Sequence, residues 1–119
     1  MKRGEVRWID LKPTVGREQT GHRPALIINT EADIAARQLA VIMPLTSSSW
    51  RKPPHAIELS NVGKRRSFAL PGQIRTVDAK RLGVVLATVG ERDIDRCLDA
   101  LLTICGKIPP MRFEAENDA

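Results

Sequence analysis

The 119-residue chain has no tyrosine and only two residues each of tryptophan and phenylalanine. That shortage excludes a binding sheet that stacks base after base, as an RRM does. Its two cysteines, Cys97 and Cys105, have neither a CxxC neighbour nor a histidine cluster. They read as small core residues, and no disulfide framework, metal site or cofactor is expected. The longest apolar run, Leu39 to Leu45, is far too short to span a bilayer, and the N-terminal MKRGEVRW lacks the apolar segment of a signal peptide. A cytoplasmic protein without a membrane partner is expected. There is no internal repeat and no low-complexity tract.

What is present is basic. Lysine and arginine number 19 against 14 acids, for a net charge of +5, and three of those acids (Glu114, Glu116, Asp118) fall in the last six residues. The rest of the chain is therefore more cationic than the total suggests, which favours an anionic partner, nucleic acid ahead of membrane. At this length one domain can bury roughly two thirds of its unfolded surface. The division expected is a domain over 1–108 and an acidic tail over 109–119.

Glu5 to Leu11 reads as a half-buried strand with Val6 and Trp8 on one face. A loop of about eleven residues follows, long against the usual four to six, and so a candidate lid or binding loop. Arg23 to Thr30 holds the continuous apolar run Ala25 to Ile28, the mark of a central strand covered on both sides. Glu31 to Arg37 suits one or two helical turns. Gln38 to Leu45 is a second apolar strand, with Pro44 expected to mark its end as an edge or bulge. Short strands are expected at His55 to Leu59, Ser67 to Leu70, Gln73 to Val77 and Gly83 to Val89, with a helical turn at Asp78 to Leu82 between the last two. Glu91 to Gly106 has start and stop signals for the one long helix, with Ile94, Leu98, Leu101, Leu102 and Cys105 as its inward stripe. This is a mainly β fold with α: a small barrel of five to seven short strands plus one C-terminal helix.

The richest stretch is Gly16 to Asn29, GREQTGHRPALIIN, a glycine-punctuated loop running into the central strand. Pro24 restricts Arg23 to extended geometry at the strand mouth, where a rigid guanidinium suits a phosphate. The plainer alternative is a rim arginine in a surface ion pair. Because neighbouring strand residues point to opposite faces, His22 is expected to face away from any site that Arg23 serves. Trp50, alone in the cationic loop Thr46 to Pro54, is a candidate base platform. The triplet Lys64, Arg65 and Arg66 either tracks a phosphate backbone or is a solvated turn.

Four motifs in order, MKRGEVRWIDLKPTVGREQTGHRPALIIN, VIMPLTSS, GQIRTVDAKRLG and a final helix, closely resemble the MazF/PemK toxins over residues 1 to about 106. The resemblance implies an SH3-like barrel, usually a homodimer, acting as a toxin endoribonuclease. Such an enzyme cleaves single-stranded RNA at short sequences without metal, leaving 2′,3′-cyclic phosphate and 5′-hydroxyl ends. It also implies a cognate antitoxin whose disordered acidic segment lies over the RNA groove.

By position, the resemblance makes Arg23 and Thr46 the catalytic pair, and Glu18 and Gln19 the lid residues, Glu18 being the candidate base. Arg17, Ser47, Gln73 and Arg75 fall to RNA contact, with Lys64 and Arg65 beside them. Kid-like relatives carry an acid just before the QIRT-type motif and an arginine two residues earlier. Here those positions hold Gly72 and Leu70, so the chemistry rests on Arg23 and Thr46. Two other readings stay open: a CcdB-like toxin that binds DNA gyrase without catalysis, and a passive RNA-binding module.

Overall fold

The computed structural model describes residues 1–48 and 50–107; the acidic tail expected over 109–119 lies outside them. Among the described residues seven strands and two helices run in the order β1 (Glu5–Asp10), β2 (His22–Ile27), α1 (Glu31–Arg37), β3 (Leu39–Thr46), β4 (Ile57–Leu59), β5 (Ser67–Ala69), β6 (Arg75–Asp78), β7 (Leu82–Thr88) and α2 (Glu91–Ile104). Short 3-10 turns occupy Pro71–Gln73 and Ala79–Arg81. The strands pair antiparallel in the order β4-β5-β3-β2-β1-β7, with β6 also on β3. Strand β3 is the hub, holding β2 along one edge and first β6, then β5, along the other.

That hub corrects the expectation for Pro44, which lies inside β3 rather than at its end, opposite Ala25 of β2. The Pro44 carbonyl accepts from Leu70 N at 3.0 Å. In an antiparallel strand the nitrogen points to the same side as its carbonyl, so the missing N–H falls where β3 passes from β6 to β5 and no ladder bond is lost. Gln73 is likewise not in a strand; it closes the 3-10 turn in front of β6.

Strand β2 has apolar residues on consecutive positions because both faces are covered. Leu26 joins Val6, Met43, Leu45, Ile57, Ile94 and Cys97 on one side, while Ala25 and Ile27 join Ile9, Ile34, Ile42 and Val77 on the other. Helix α2 closes the first of these clusters and α1 the second. Each such side chain contributes about 1.5–3 kcal/mol by leaving water. The α2 stripe runs through Ile94, Cys97 and Ala100, with Leu98 and Leu101 half-buried; Leu102 and Cys105 are exposed, against expectation. The last turn instead meets the 3-10 turn at Gly72 through Ile104, which leaves Leu102 and Cys105 off the packed side. Cys97 is thus a core residue and Cys105 is not.

Helix α1 is short and heavily capped. Thr30 Oγ1 accepts from Asp33 N at 3.1 Å, Arg37 grips the Asp33 carboxylate, and Gln38 in the left-handed region (φ 57°) ends the helix. Gly4 matters at the other end of the sheet. At φ +92° it passes so near β7 that a Cβ would stand 2.9 Å from the Val89 carbonyl oxygen, and its N–H donates to Ile27 O at 2.7 Å.

Candidate active site

The β2–β3 ladder matches Ala25 with Pro44, Leu26 with Met43 and Ile27 with Ile42. Continuing that register sets Arg23 opposite Thr46 and His22 opposite Ser47, just past the last matched pair. There the two strands open a cleft of about 490 Å³ lined by Arg23, Thr46, Ser47, Lys64, Arg65 and His22, with Trp8, Leu45, Val62 and Leu86 as its apolar wall. The core thus ends in a hollow instead of a closed seam. Trp8 shares a face with Val6, as expected, but stands at the open end of the core, 39% exposed and edge-on to His22 with ring centroids 6.2 Å apart.

A second cleft of about 550 Å³ adjoins the first and collects Arg17, Glu18, Gln19, Gln73 and Arg75 over Pro44 and Gly72. The sequence-derived candidates therefore fall into two groups. The ridge between them is Arg23. Its Nε donates to Thr20 O at 3.0 Å. With the Gln19 carboxamide oxygen turned to the guanidinium, the orientation that sets acceptor against donor, that oxygen lies 3.1 Å from both Nε and Nη1. Gln19 N in turn donates to Gln73 Oε1 at 3.2 Å. Two amides thus aim the guanidinium and leave Nη donors for an anion.

Thr46 is 8% exposed and its Oγ1 accepts from Ser48 N at 3.2 Å, so the hydroxyl proton is left to donate. Glu18 does not reach the first cleft: its Oε1 accepts from Val15 N at 2.7 Å, bracing the loop. Arg75 sends Nη1 to Leu11 O at 2.9 Å, and Arg81 ties Asp10 O and Lys12 O, so both fasten the root of the same loop to the sheet. Arg17 is exposed on the rim.

The basic triplet divides. Lys64 and Arg65 face the first cleft, whereas Arg66 turns away to grip Glu58 in two bonds of 2.8 and 2.9 Å. That guanidinium holds the Glu58 carboxyl below its ordinary range. Burial pushes the Cys97 thiol up to about 12, which keeps it a neutral core group. Among the described residues no group of three or more His, Cys, Asp or Glu is placed to hold a metal ion, and no helix is long and apolar enough to cross a membrane.

Strand alternation had turned His22 away from the site, yet His22 and Arg23 line the same cleft. Both residues remain paired with β1, His22 with Asp10 and Arg23 with Ile9, and alternate in face, but the cleft at the mouth of β2 and β3 takes in both faces. Trp8 and Leu86 were also missed as wall residues. The signal for Trp8 was present in its shared face with Val6, but Leu86 comes from β7, whose neighbour cannot be read from local pattern.

Comparison with known proteins bears on this arrangement. The model of the family described as PemK-like, MazF-like toxin of type II toxin-antitoxin system matches residues 2–105. The chain is 38% identical over 108 residues to Endoribonuclease PemK of Escherichia coli, covering 87% of this chain and 81% of that one. It is 33% identical over 105 residues to Endoribonuclease EndoA of Bacillus subtilis, covering 85% and 90%. The fold is similar to crystalline MazF of Deinococcus radiodurans, with a TM-score of 0.79 at 25% identity over 89% of this chain and 96% of that one. A mycobacterial endoribonuclease in complex with its cognate antitoxin has a TM-score of 0.69 at 23% identity, over 92% and 97%.

Proposed function

The chain belongs to the PemK-like, MazF-like toxin family of type II toxin-antitoxin systems, and from that premise we propose that it is an endoribonuclease whose scissile phosphate sits between Arg23 and Thr46. The observation that carries this is their register: two donors face each other where the β2–β3 ladder opens into a basic cleft. RNA carries its own nucleophile. The 2′-oxygen attacks phosphorus, the P–O5′ bond breaks, and the products are a 2′,3′-cyclic phosphate and a 5′-hydroxyl. The protein need only align this displacement and stabilise charge on the non-bridging oxygens.

Arg23 donates to those oxygens, held by Gln19 and Thr20, while the Thr46 hydroxyl donates from the opposite strand. Lys64 and Arg65 hold the adjoining phosphates. Proton transfer from the 2′-hydroxyl and to the 5′-oxygen falls to His22 ahead of Glu18, because His22 lines this cleft and Glu18 lines the second one. Arginine, with a pKa above about 12, is a poor base at neutral pH.

Two partners follow from the same reading. Strand β7 is at the sheet edge with Val84, Val85 and Leu86 exposed at 68%, 45% and 41%. An apolar edge of this kind supports a homodimer in which a second copy covers it beside the cleft. A cognate antitoxin with an acidic segment suits the basic cleft, as charge complementarity and the antitoxin complexes of structural relatives suggest.

The test is to incubate the protein and its Arg23→Ala variant with long single-stranded RNA in chelator and map the product ends. Discrete cuts with cyclic-phosphate and 5′-hydroxyl ends are expected, slowed ~10²- to 10³-fold in the variant. Intact RNA with both proteins would overturn the reading, and gyrase supercoiling would then be the next assay.

A further inference from the structure

Three hollows are related through the basic residues that line them. Lys64 and Arg65 line the active-site cleft; Arg66, the next residue, lines a hollow of about 350 Å³ together with Arg51, Lys52 and Phe68. Arg51 and Lys52 also line a third hollow of about 310 Å³ with Trp50 and His55. The basic triplet thus borders the first two hollows, Lys64 and Arg65 on the cleft and Arg66 on the next, and Arg51 and Lys52 border the second and third. Glu58 borders the middle hollow, and its charge is matched by the two bonds from Arg66, whose guanidinium lies 5.2 Å from the Phe68 ring centroid. At the far end Trp50 is 72% exposed, with the Arg51 guanidinium 4.4 Å from its ring centroid.

We propose that this path is an outlying RNA track: flanking nucleotides of the substrate leave the cleft past Lys64 and Arg65, follow Arg66, Arg51 and Lys52 by their phosphates, and place one base on Trp50. A row of cations ending in one aromatic face matches single-stranded nucleic acid, whose phosphates and bases alternate, better than an acidic peptide, whose charge needs no flat apolar platform. The chain's scarcity of aromatic residues sharpens the point, since this tryptophan is 72% exposed rather than buried in the core. Stacking on every base is ruled out by composition, but stacking one base at a fixed distance from the cut is not. The track would make the enzyme favour long RNA over a fragment confined to the cleavage sequence.

This inference rests on the ribonuclease reading, so its test separates the two. Cleavage of a short RNA confined to the mapped cut site is compared with cleavage of the same RNA extended on both sides, for the wild-type chain and for Trp50→Ala. In parallel, binding of both RNAs is measured by fluorescence anisotropy in the Arg23→Ala background, where no cutting is needed. Expected is a KM for the long RNA about tenfold higher in Trp50→Ala, with its kcat and all short-RNA parameters unchanged, and near wild-type behaviour in Trp50→Phe. In the Arg23→Ala background the preference for long over short RNA should fall by a similar factor when Trp50 is also replaced, and the salt dependence should lessen when Arg51 and Lys52 become alanine. Equal loss on short and long RNA, or a length preference untouched by Trp50→Ala, would overturn the track. So would poly-glutamate that displaces long RNA from the Trp50-containing protein without any effect of Trp50 on RNA binding, which would assign the path to acidic peptide. Failure of every RNA to be cut, with length-dependent binding retained, would strike the ribonuclease reading alone.

Discussion

Strands β2 and β7 carry similar chemistry, ALI in one and GVVLA in the other, yet Ala25 to Ile27 are fully buried while Val84 to Leu86 are exposed. The difference lies in their neighbours. Strand β2 sits between β1 and β3 with a helix over each face, whereas among the described residues β7 pairs with β1 alone and ends the sheet. An apolar run thus identifies a strand without revealing what covers it. In β2 the cover is the chain's own core; in β7 Val84 to Leu86 stay exposed among the described residues.

The strongest way to break that contrast is at its buried side. Leu26→Ala should cost about 2–5 kcal/mol of folding stability in denaturant melts, because Leu26 is fully buried and its neighbours are held by two layers. A loss below about 1 kcal/mol would mean that the sheet collapses easily around β2.

The mouth of β2 comes next. Gln19→Leu removes the amide oxygen that faces Arg23 Nε and Nη1. A guanidinium that wanders from its aim should lower kcat on RNA by about 10- to 100-fold with KM nearly unchanged. A change confined to KM would show instead that Gln19 contacts the substrate.

At the exposed side the effect on folding shrinks. Val84→Asp should alter stability by less than about 1 kcal/mol, since that side chain is 68% exposed. It should nonetheless convert a dimer to monomer in light scattering at micromolar concentration. A wild-type chain that is already monomeric there would remove the dimer, and β7 would need another cover.

The smallest effect is at the far end of β2, where Asn29 donates to Asp33 Oδ2 at 2.9 Å and Leu39 O at 3.1 Å. Hydrogen bonds from Arg37 and Asn29 hold the Asp33 carboxyl down to about 2 from an ordinary 3.8. A depressed carboxyl contributes stability that is fully present above pH 3.8 and lost as pH falls through about 2. Solvent screens this exposed pair, so the loss of α1 helicity on acidification should be slight. Arg37→Ala should raise the Asp33 titration midpoint by NMR toward its ordinary value; an unmoved midpoint would discard the pairing as its cause.

Much of this was legible before any coordinates. Continuous against alternating hydrophobicity marked β2 as central, Thr30 and Gln38 bracket a helix where Glu31 to Arg37 suggested turns, and four ordered motifs pointed to the family. Those signals are local, carried by neighbouring residues and by the short-range sterics of proline and glycine. The failures were equally specific. Pro44 was placed at a strand end because nothing in its neighbourhood says that β3 changes partners there. His22 was turned away because alternation sets it on the opposite face from Arg23, whereas the cleft at the strand mouth takes in both faces. Gln19 and Gln73 were read as separate contacts although they form one chain of bonds to Arg23.

By itself, then, the sequence determined which segments are strands and helices, which residues are candidates for the chemistry, and the sign of the field they stand in. Tertiary structure alone decided that Arg23 faces Thr46, that Lys64 and Arg65 join them while Arg66 does not, and that β7 keeps its apolar side chains in water. The physical reason is range. Dihedral preference, capping and periodicity act over a few residues, whereas register, sheet order and edge exposure depend on pairs some tens of residues apart, and those pairs exist only once the chain has folded.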